Sequence, residues 1–165
     1  MLNVSASATV SVTGIKETMK ELAKLEPELA KQIKKDMKLI TASVVADAKS
    51  RVPNAVLSGF ARSWQGGRLT PFSGDAVRKT ITTRFSNRKS TMAAFAIVMK
   101  SAGGTVLDTT GRSSSGNLAR QLEARFGRAS RIMWPAYEAN ATQLEQDLQA
   151  VVDVVQQAVN SRLVR

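Results

Sequence analysis

The chain has 165 residues and is strongly basic, with 24 Lys and Arg against 13 Asp and Glu and a formal net charge of +11. It contains neither cysteine nor histidine, which excludes disulfides and thiol chemistry and removes the commonest general base and metal ligand. The length favours a single domain over residues 1–165, and no apolar run is long enough to span a membrane.

The positive charge is concentrated in the middle third of the chain. Residues 52–133 hold thirteen Lys and Arg against three Asp and Glu, whereas residues 134–165 hold two against four. A net charge of +10 on one segment indicates a surface that meets nucleic acid or an acidic partner. The alternative is a solubilising surface with no partner.

Residues 13–51 are predicted to form two helices. Apolar residues recur there at steps of three and four, with Lys and Glu at most other positions, as in a helix that buries one face. Pro27 fits a first turn but not a helix interior, so we expect a short helix before it and a long one that ends before Pro53. The predicted apolar stripe of the long helix, which we expect to lie on a sheet, consists of Leu29, Ile33, Met37, Ile40, Val44 and Ala48.

Three segments show strand patterns. Residues 4–12 and 77–85 alternate apolar or long side chains with Ser, Thr and Arg, and residues 91–100 form a more continuous apolar run. The latter two are separated by a turn at residues 87–90, so we expect an antiparallel hairpin. The third strand is either the N-terminal segment or residues 105–108.

Two connections, about residues 54–76 and 101–117, are irregular and rich in Gly and Ser. We predict that both are flexible loops. The first contains Phe60, Trp64 and Phe72, and exposed aromatic side chains there would suit docking against another chain. The alternative is that these side chains fill the end of the core.

Two further helices are predicted towards the C-terminus. Residues 117–126 place Leu122 and Phe126 on one side and precede Gly127, a common helix stop. Pro135 opens a last amphipathic helix, roughly 45 Å long, in its preferred first-turn place. A small antiparallel sheet packed by a long N-terminal and a long C-terminal helix predicts an α+β fold.

Motifs of known enzymes are incomplete in this chain. Residues 111–116 have the glycine spacing of a phosphate-binding loop, but Asn117 and Leu118 stand where such a loop needs Lys and then Ser or Thr. Residues 107–111 approach the Asp-Thr-Gly of aspartic proteases with one residue too many and in a single copy. Without histidine a serine nucleophile would need a lysine base, and no signature marks one. We therefore expect no enzyme, no cofactor and no metal site.

Several short motifs follow one another in a recognisable order. A strand-like start and a Val-Thr-Gly entry lead into the Lys/Glu-rich helix, which ends in an Ala-Lys-x-x-x-Pro step at residues 48–53. Residues 57–63 then read Leu-Ser-Gly-Phe-Ala-Arg-Ser, and further motifs occupy residues 108–112, 122–127 and 131–136. This order resembles the small tail-completion, or head–tail joining, proteins of long-tailed bacteriophages. The later motifs are similar to the version found in phages of actinobacteria.

The match to that family departs in one motif. The family has Thr-Gly-x-Leu-Arg-x-Ser after the helix; here Ser58 replaces the Thr, and Phe60-Ala61 stands for the x-Leu pair, while Arg62 and Ser63 match. The resemblance implies a non-enzymatic virion component, made in the host bacterial cytoplasm and located at the head–tail junction. It implies a homo-oligomeric ring, expected to be a hexamer, through which DNA passes.

The resemblance also implies neighbours on both sides of the ring, namely tail-tube or terminator proteins and head-connector proteins. Non-specific contact with genomic DNA is expected, because the bases could neutralise phosphates without reading sequence. The alternative, from the basic composition, is a cytoplasmic accessory protein that binds nucleic acid non-specifically. Neither reading involves a membrane.

In a ring, the basic middle third of one copy could face the DNA channel or the acidic C-terminal helix of the next copy. We predict that the basic residues of the strand at 77–85 and the turn at 87–90 face DNA. The arginines in and near the helix at residues 117–126 are predicted to contact neighbouring subunits. The DNA-facing candidates are Arg78, Lys79, Arg84, Arg88 and Lys89. The candidates for contact with subunits or partners are Phe60, Arg62, Trp64, Phe72, Arg112, Arg120, Arg125, Arg128, Glu138, Glu145 and Asp147.

Overall fold

The computed structural model describes residues 6–8, 27–57, 72–85, 95–113 and 116–163. Within these ranges a three-stranded antiparallel sheet is packed by helices, so the predicted α+β fold is confirmed. The strands are β1 (Ala6–Ala8), β2 (Ile81–Phe85) and β3 (Phe95–Met99). The helices are α1 (Pro27–Ile40), α2 (Ala42–Ser50), α3 (Gly74–Thr80), α4 (Ala102–Thr109), α5 (Asn117–Phe126) and α6 (Met133–Leu163).

The sheet has the order β1-β3-β2, with the hairpin partner β3 in the centre. Ile81 lies opposite Met99 and Phe85 opposite Phe95, and Ile81, Met99 and Phe95 are buried. Thr82 and Arg84, which alternate with Ile81 along β2, are exposed, because successive side chains of a strand point to opposite faces. The third strand is N-terminal, as one of the two alternatives predicted.

The predicted long helix runs from Pro27 to Ser50 with an irregularity at Thr41. The backbone hydrogen bonds continue through this point, since the Thr41 amide donates to Met37 O. The buried Thr41 hydroxyl donates to Met37 O at 2.9 Å and lies 2.6 Å from the hydroxyl of Thr83 on β2. The hydrogen bond between the two hydroxyls connects the helical run to the sheet at this point.

The apolar stripe is buried as predicted at Ile33, Met37, Val44 and Ala48, but its partner differs from the one expected. The main partner of α1 is α6, and α2 packs against both α6 and β2. The run from α1 to α2 is about 36 Å long, whereas strands of five residues span about 17 Å. The sheet is therefore too small to cover the stripe, and α6 covers the rest. The side chain of Leu29 lies outside the described part.

The predicted start of the strand at residues 77–85 was wrong. Residues 77–80, predicted as strand, belong to α3, which begins because the Ser73 hydroxyl accepts a hydrogen bond from the Ala76 amide. Val77 and Ile81 also fit a helical step of four, so the apolar pattern alone is compatible with either a strand or a helix. The strand starts only at Ile81.

Much of the predicted loop at residues 101–117 is helix α4. The Ser101 hydroxyl caps it by accepting from the Gly104 amide at 3.2 Å. A Cβ at Gly104 would lie 2.8 Å from both Met99 Sδ and Val77 Cγ1. Gly104 therefore permits α4 to pack closely against Met99 and Val77, and it is not a loop residue. Residues 105–108, the other candidate for the third strand, lie in this helix.

The two C-terminal helices agree closely with their prediction. Helix α5 covers the predicted residues 117–126 and stops at Gly127, whose φ is 80°. Helix α6 begins at Met133, two residues before Pro135, which still lies in the first turn. Leu144 and Leu148 are buried and Tyr137 is half-buried, so this helix buries the predicted face.

Some predictions fall outside the described residues: the short helix before Pro27, most of the first loop and the turn at residues 87–90. With them go Phe60, Arg62, Trp64, Arg88 and Lys89. Among the helices that the structure describes, none combines the length and hydropathy needed to cross a bilayer.

Candidate interaction surfaces

The ends of α4 and α6 meet in a joint built from residues 107–112 and 127–133. The Asp108 carboxylate, which is buried, accepts from the Ile132 amide at 2.6 Å and the Met133 amide at 3.4 Å. These are the free amides at the start of α6, where a helix favours negative charge. A side chain from a distant helix thus supplies the cap of α6.

Arg131 completes the joint from the other side. Its Nη1 donates to Leu107 O at 2.7 Å and to Thr110 O at 2.9 Å, and its Nε donates to Gly127 O at 2.8 Å. Burial lowers the pKa of Arg131 below its ordinary value, and the carboxylates of Asp108 and Glu123 act against that shift. A cation among the last carbonyls of α4 is favourably placed.

We define the arginine surface as Arg112 and Arg128, which belong to the joint, together with Arg120 and Arg125, which lie on α5. All four are exposed. The Arg112 guanidinium donates to the Ser130 hydroxyl at 2.9 Å, and that of Arg125 lies 5.5 Å from the ring centre of Phe126. Within the described residues no carboxylate lies in ion-pair distance of Arg120, Arg125 or Arg128. Four of the predicted interface arginines are therefore exposed on α5 and at the joint, available to an acidic partner.

The predicted DNA-facing bases of the described part differ in their surroundings. The Arg78 guanidinium donates to Asp75 at 2.8 Å and to Val52 O and Asn54 Oδ1 at 2.6 Å each. Arg78 therefore ties α3 to the end of α2, while Lys79 and Arg84 are exposed.

Two further bases lie near these, and the sequence did not single them out. An open groove of about 500 Å³ beside β2 is lined by Lys38, Lys49, Val45 and Thr82. Lys38 was predicted to lie on the polar side of the helical run, and Lys49 was noted only as part of the Ala-Lys-x-x-x-Pro step. Their position next to a strand became evident only from the packing of α2 on β2.

A second open groove, of about 480 Å³, separates α1 from α6, and we call it the α1–α6 groove. Its lining is mainly apolar, but an acid stands on each side, Asp36 from α1 and Asp147 from α6. Each acid accepts a hydrogen bond from a glutamine one turn earlier, Asp36 from Gln32 at 2.7 Å and Asp147 from Gln143 at 2.8 Å. The apolar lining consists of Ile33, Leu39, Ile40, Ala150, Val151 and Val154.

The predicted acidic partners on the C-terminal helix do not form one surface. Asp147 lines the α1–α6 groove. Glu138 and Glu145 are exposed and, being seven residues apart, share one flank of α6. That flank lies roughly 160° around the helix axis from Asp147, since each residue advances about 100°.

The predicted aromatic contacts are partly described. Phe72 is half-buried and packs on the core, with a ring carbon 3.3 Å from the place a Cβ would take at Gly103. Trp134 is 48% exposed at the start of α6, and its ring lies 5.5 Å from that of Tyr137. Trp134 was not among the predicted contact residues, because it follows the apolar pair Ile132 and Met133, which is typical of a core segment.

The described residues contain no group of three or more carboxylates arranged to hold a metal ion. Comparison of the chain with protein-family models, with curated proteins and with solved structures finds no match.

Proposed function

We propose that this chain is a structural protein of the head–tail junction of a long-tailed bacteriophage, assembled as a homo-oligomeric ring around the DNA channel. The observation that carries the proposal is the joint between α4 and α6. Two of the segments on which the resemblance rests, residues 108–112 and 131–136, contribute Asp108 and Arg131, whose side chains hold the joint together. Motifs far apart in sequence thus serve one structural purpose.

The charge distribution supports a ring as well. Exposed arginines lie on α5 and at the joint, and four acids are spread along α6, at Glu138, Glu145, Asp147 and Asp153. Surfaces of opposite charge on one chain favour head-to-tail contacts, which close into rings when the rotation between copies permits. Lys79, on α3 just before β2, and Arg84, on β2, remain the described candidates for the channel face.

Electron microscopy of the purified protein tests this proposal. We expect closed rings of one copy number, and we expect mass spectrometry of purified virions to detect the chain. A protein that stays monomeric at high concentration and is missing from virions would contradict the proposal.

The second candidate is a cytoplasmic accessory protein that binds nucleic acid non-specifically. The exposed arginines and the lysine-lined groove beside β2 favour it. It predicts a monomer or dimer that retards DNA in a gel, whereas the ring proposal predicts assembly in the absence of DNA.

A further inference from the structure

We propose that the α1–α6 groove binds the arginine surface of a second copy of this chain. The inference rests on the proposed function and deepens it, because it names the two surfaces through which copies would join into a ring. It draws on the apolar lining of the groove, the charge at its sides and the distance between the two surfaces.

The groove exposes apolar side chains that a soluble surface normally covers. Leu39 is 65% exposed and Val154 is 52% exposed, and both face the same groove. Neither belongs to the buried stripe of its own helix, so neither is needed for the core. Large apolar side chains that share a concave surface are typical of a protein-binding site.

The charges at the groove select the partner. Asp36 and Asp147 stand on opposite sides of it, each held by a glutamine of its own helix. Arginine suits such a site because its guanidinium can bind a carboxylate through two parallel hydrogen bonds, while its alkyl part covers apolar surface.

The arginine surface has the matching composition. Arg120 and Ala124 lie one turn apart on one flank of α5, and Gln121 and Arg125 lie one turn apart on another, with Arg125 about 140° from Arg120 around the helix axis. All four residues are exposed. No described carboxylate pairs with these arginines, so an acid of another copy can serve as their partner.

The two surfaces cannot meet within one copy. The joint stands at the start of α6, whereas Asp147 and Val154 lie about 20 and 30 Å further along the helix, at about 1.5 Å per residue. Among the described elements, those that pack most against α6 are α1, α2 and β1. Contact between the surfaces therefore joins different copies and is head-to-tail, the kind that builds rings.

Cross-linking tests the contact directly, because the chain has no cysteine of its own. In the double variant with Leu39→Cys and Arg125→Cys, oxidation should give a ladder of covalent oligomers beyond the dimer. The matched control pairs Arg125→Cys with Glu138→Cys, which lies on the other flank of α6, and should give no ladder. A covalent dimer from Leu39→Cys alone would mean that groove meets groove, which contradicts the inference.

A charge exchange gives a second test. Asp147→Arg and Arg125→Asp should each weaken assembly at least tenfold in sedimentation velocity, and the two together should restore it. If the wild type forms rings and the variants Asp147→Arg and Leu39→Asp form them equally well, this inference is wrong but the proposed function stands. A wild-type chain that never assembles overturns both.

The test must also separate a second copy in the groove from a segment of the same chain. Labelling of Leu39→Cys by a maleimide separates the cases. We expect rapid labelling in diluted monomer and at least tenfold slower labelling in the assembled ring. Protection already in the monomer would show that the chain covers its own groove, and the inference would be wrong.

Discussion

Asp108 and Arg131 hold the ends of two helices in opposite senses. The Asp108 carboxylate, on α4, accepts from the first amides of α6, and the Arg131 guanidinium, just before α6, donates to the last carbonyls of α4. Each side chain thus caps the end of the other helix, so the joint depends on both residues. The relative direction of α4 and α6 is fixed by this exchange.

Replacing Asp108 should therefore destabilise the fold. Asp108→Ala leaves the Ile132 amide buried without a partner and removes the negative charge at the start of α6, at a cost of about 2–3 kcal/mol. Urea unfolding followed by circular dichroism measures the loss. The control Asp153→Asn, on the exposed side of α6, should change the free energy of unfolding by less than about 0.5 kcal/mol. Equal effects of the two variants would contradict the role assigned to the joint.

The buried face of α1 can be tested with two matched substitutions. Ile33 is 2% exposed, so Ile33→Asp places an unpaired charge in the core and should cost more than about 3 kcal/mol. Leu39→Asp, in the same helix, changes an exposed side chain and should cost less than about 1 kcal/mol. Thermal unfolding of monomeric protein gives both values. A similar melting temperature for both variants would mean that the face of α1 is wrongly assigned.

Gly104 should resist substitution although it lies in a helix. Alanine normally favours a helix by about 1 kcal/mol over glycine, but its Cβ would lie 2.8 Å from side-chain atoms of Met99 and Val77. Overpacking of this kind costs about 1–3 kcal/mol, so we expect Gly104→Ala to destabilise. Gly103→Ala meets the edge of a phenylalanine ring at 3.3 Å and should stay within about 1 kcal/mol of the wild type. Stabilisation by Gly104→Ala would show that α4 does not pack this closely.

Charge reversal should separate the DNA-facing bases from those at subunit contacts. Lys79→Glu with Arg84→Glu should weaken DNA binding and reduce its salt dependence by about one unit of log–log slope per lost phosphate contact, leaving rings intact. Arg88→Glu with Lys89→Glu, outside the described residues, should act in the same way.

The arginines of α5 should show the opposite pattern. Arg120→Glu with Arg125→Glu should abolish rings, because both would face acids of the next copy. Electron microscopy scores ring formation, and a filter-binding assay at several salt concentrations scores DNA. If the Arg88 and Lys89 pair abolishes rings while the α5 pair leaves them intact, the two surfaces have been assigned the wrong way round.

The predictions from sequence succeeded where a local signal decides the structure. Gly127 ended α5 where expected, and Pro27 began α1, because both act through their own backbone geometry. The strand at Ile81 was extended too far towards the N-terminus, since Val77 fits either period and only the Ser73 cap settles the matter. Gly104 was predicted to be a loop residue. A glycine is needed there because of close contact with Met99, which lies on another element and is not visible in the local sequence.

The candidate surfaces were predictable only in part. Charge counting found the arginines, because charged side chains without partners stay on the surface. The α1–α6 groove was missed, although Leu39 and Val154 both depart from the apolar stripes of their helices. An apolar residue outside the stripe was the available signal. Which of these residues share a groove depends on how α1 lies on α6, and no local pattern encodes that.

The sheet pairs β1 with β3, the two strands that are furthest apart in the sequence and therefore in the time at which they are synthesised. Ala6 pairs with Met99, whereas β2 and β3 are near neighbours in sequence. On the ribosome, β1 leaves the exit tunnel first and must wait for β3, so the hairpin closes before the N-terminal strand can dock. Pairing across so many residues carries a large loop-closure cost and slows folding. Among the three strands β1 therefore pairs last, and until then one edge of β3 stays open to strands of other chains.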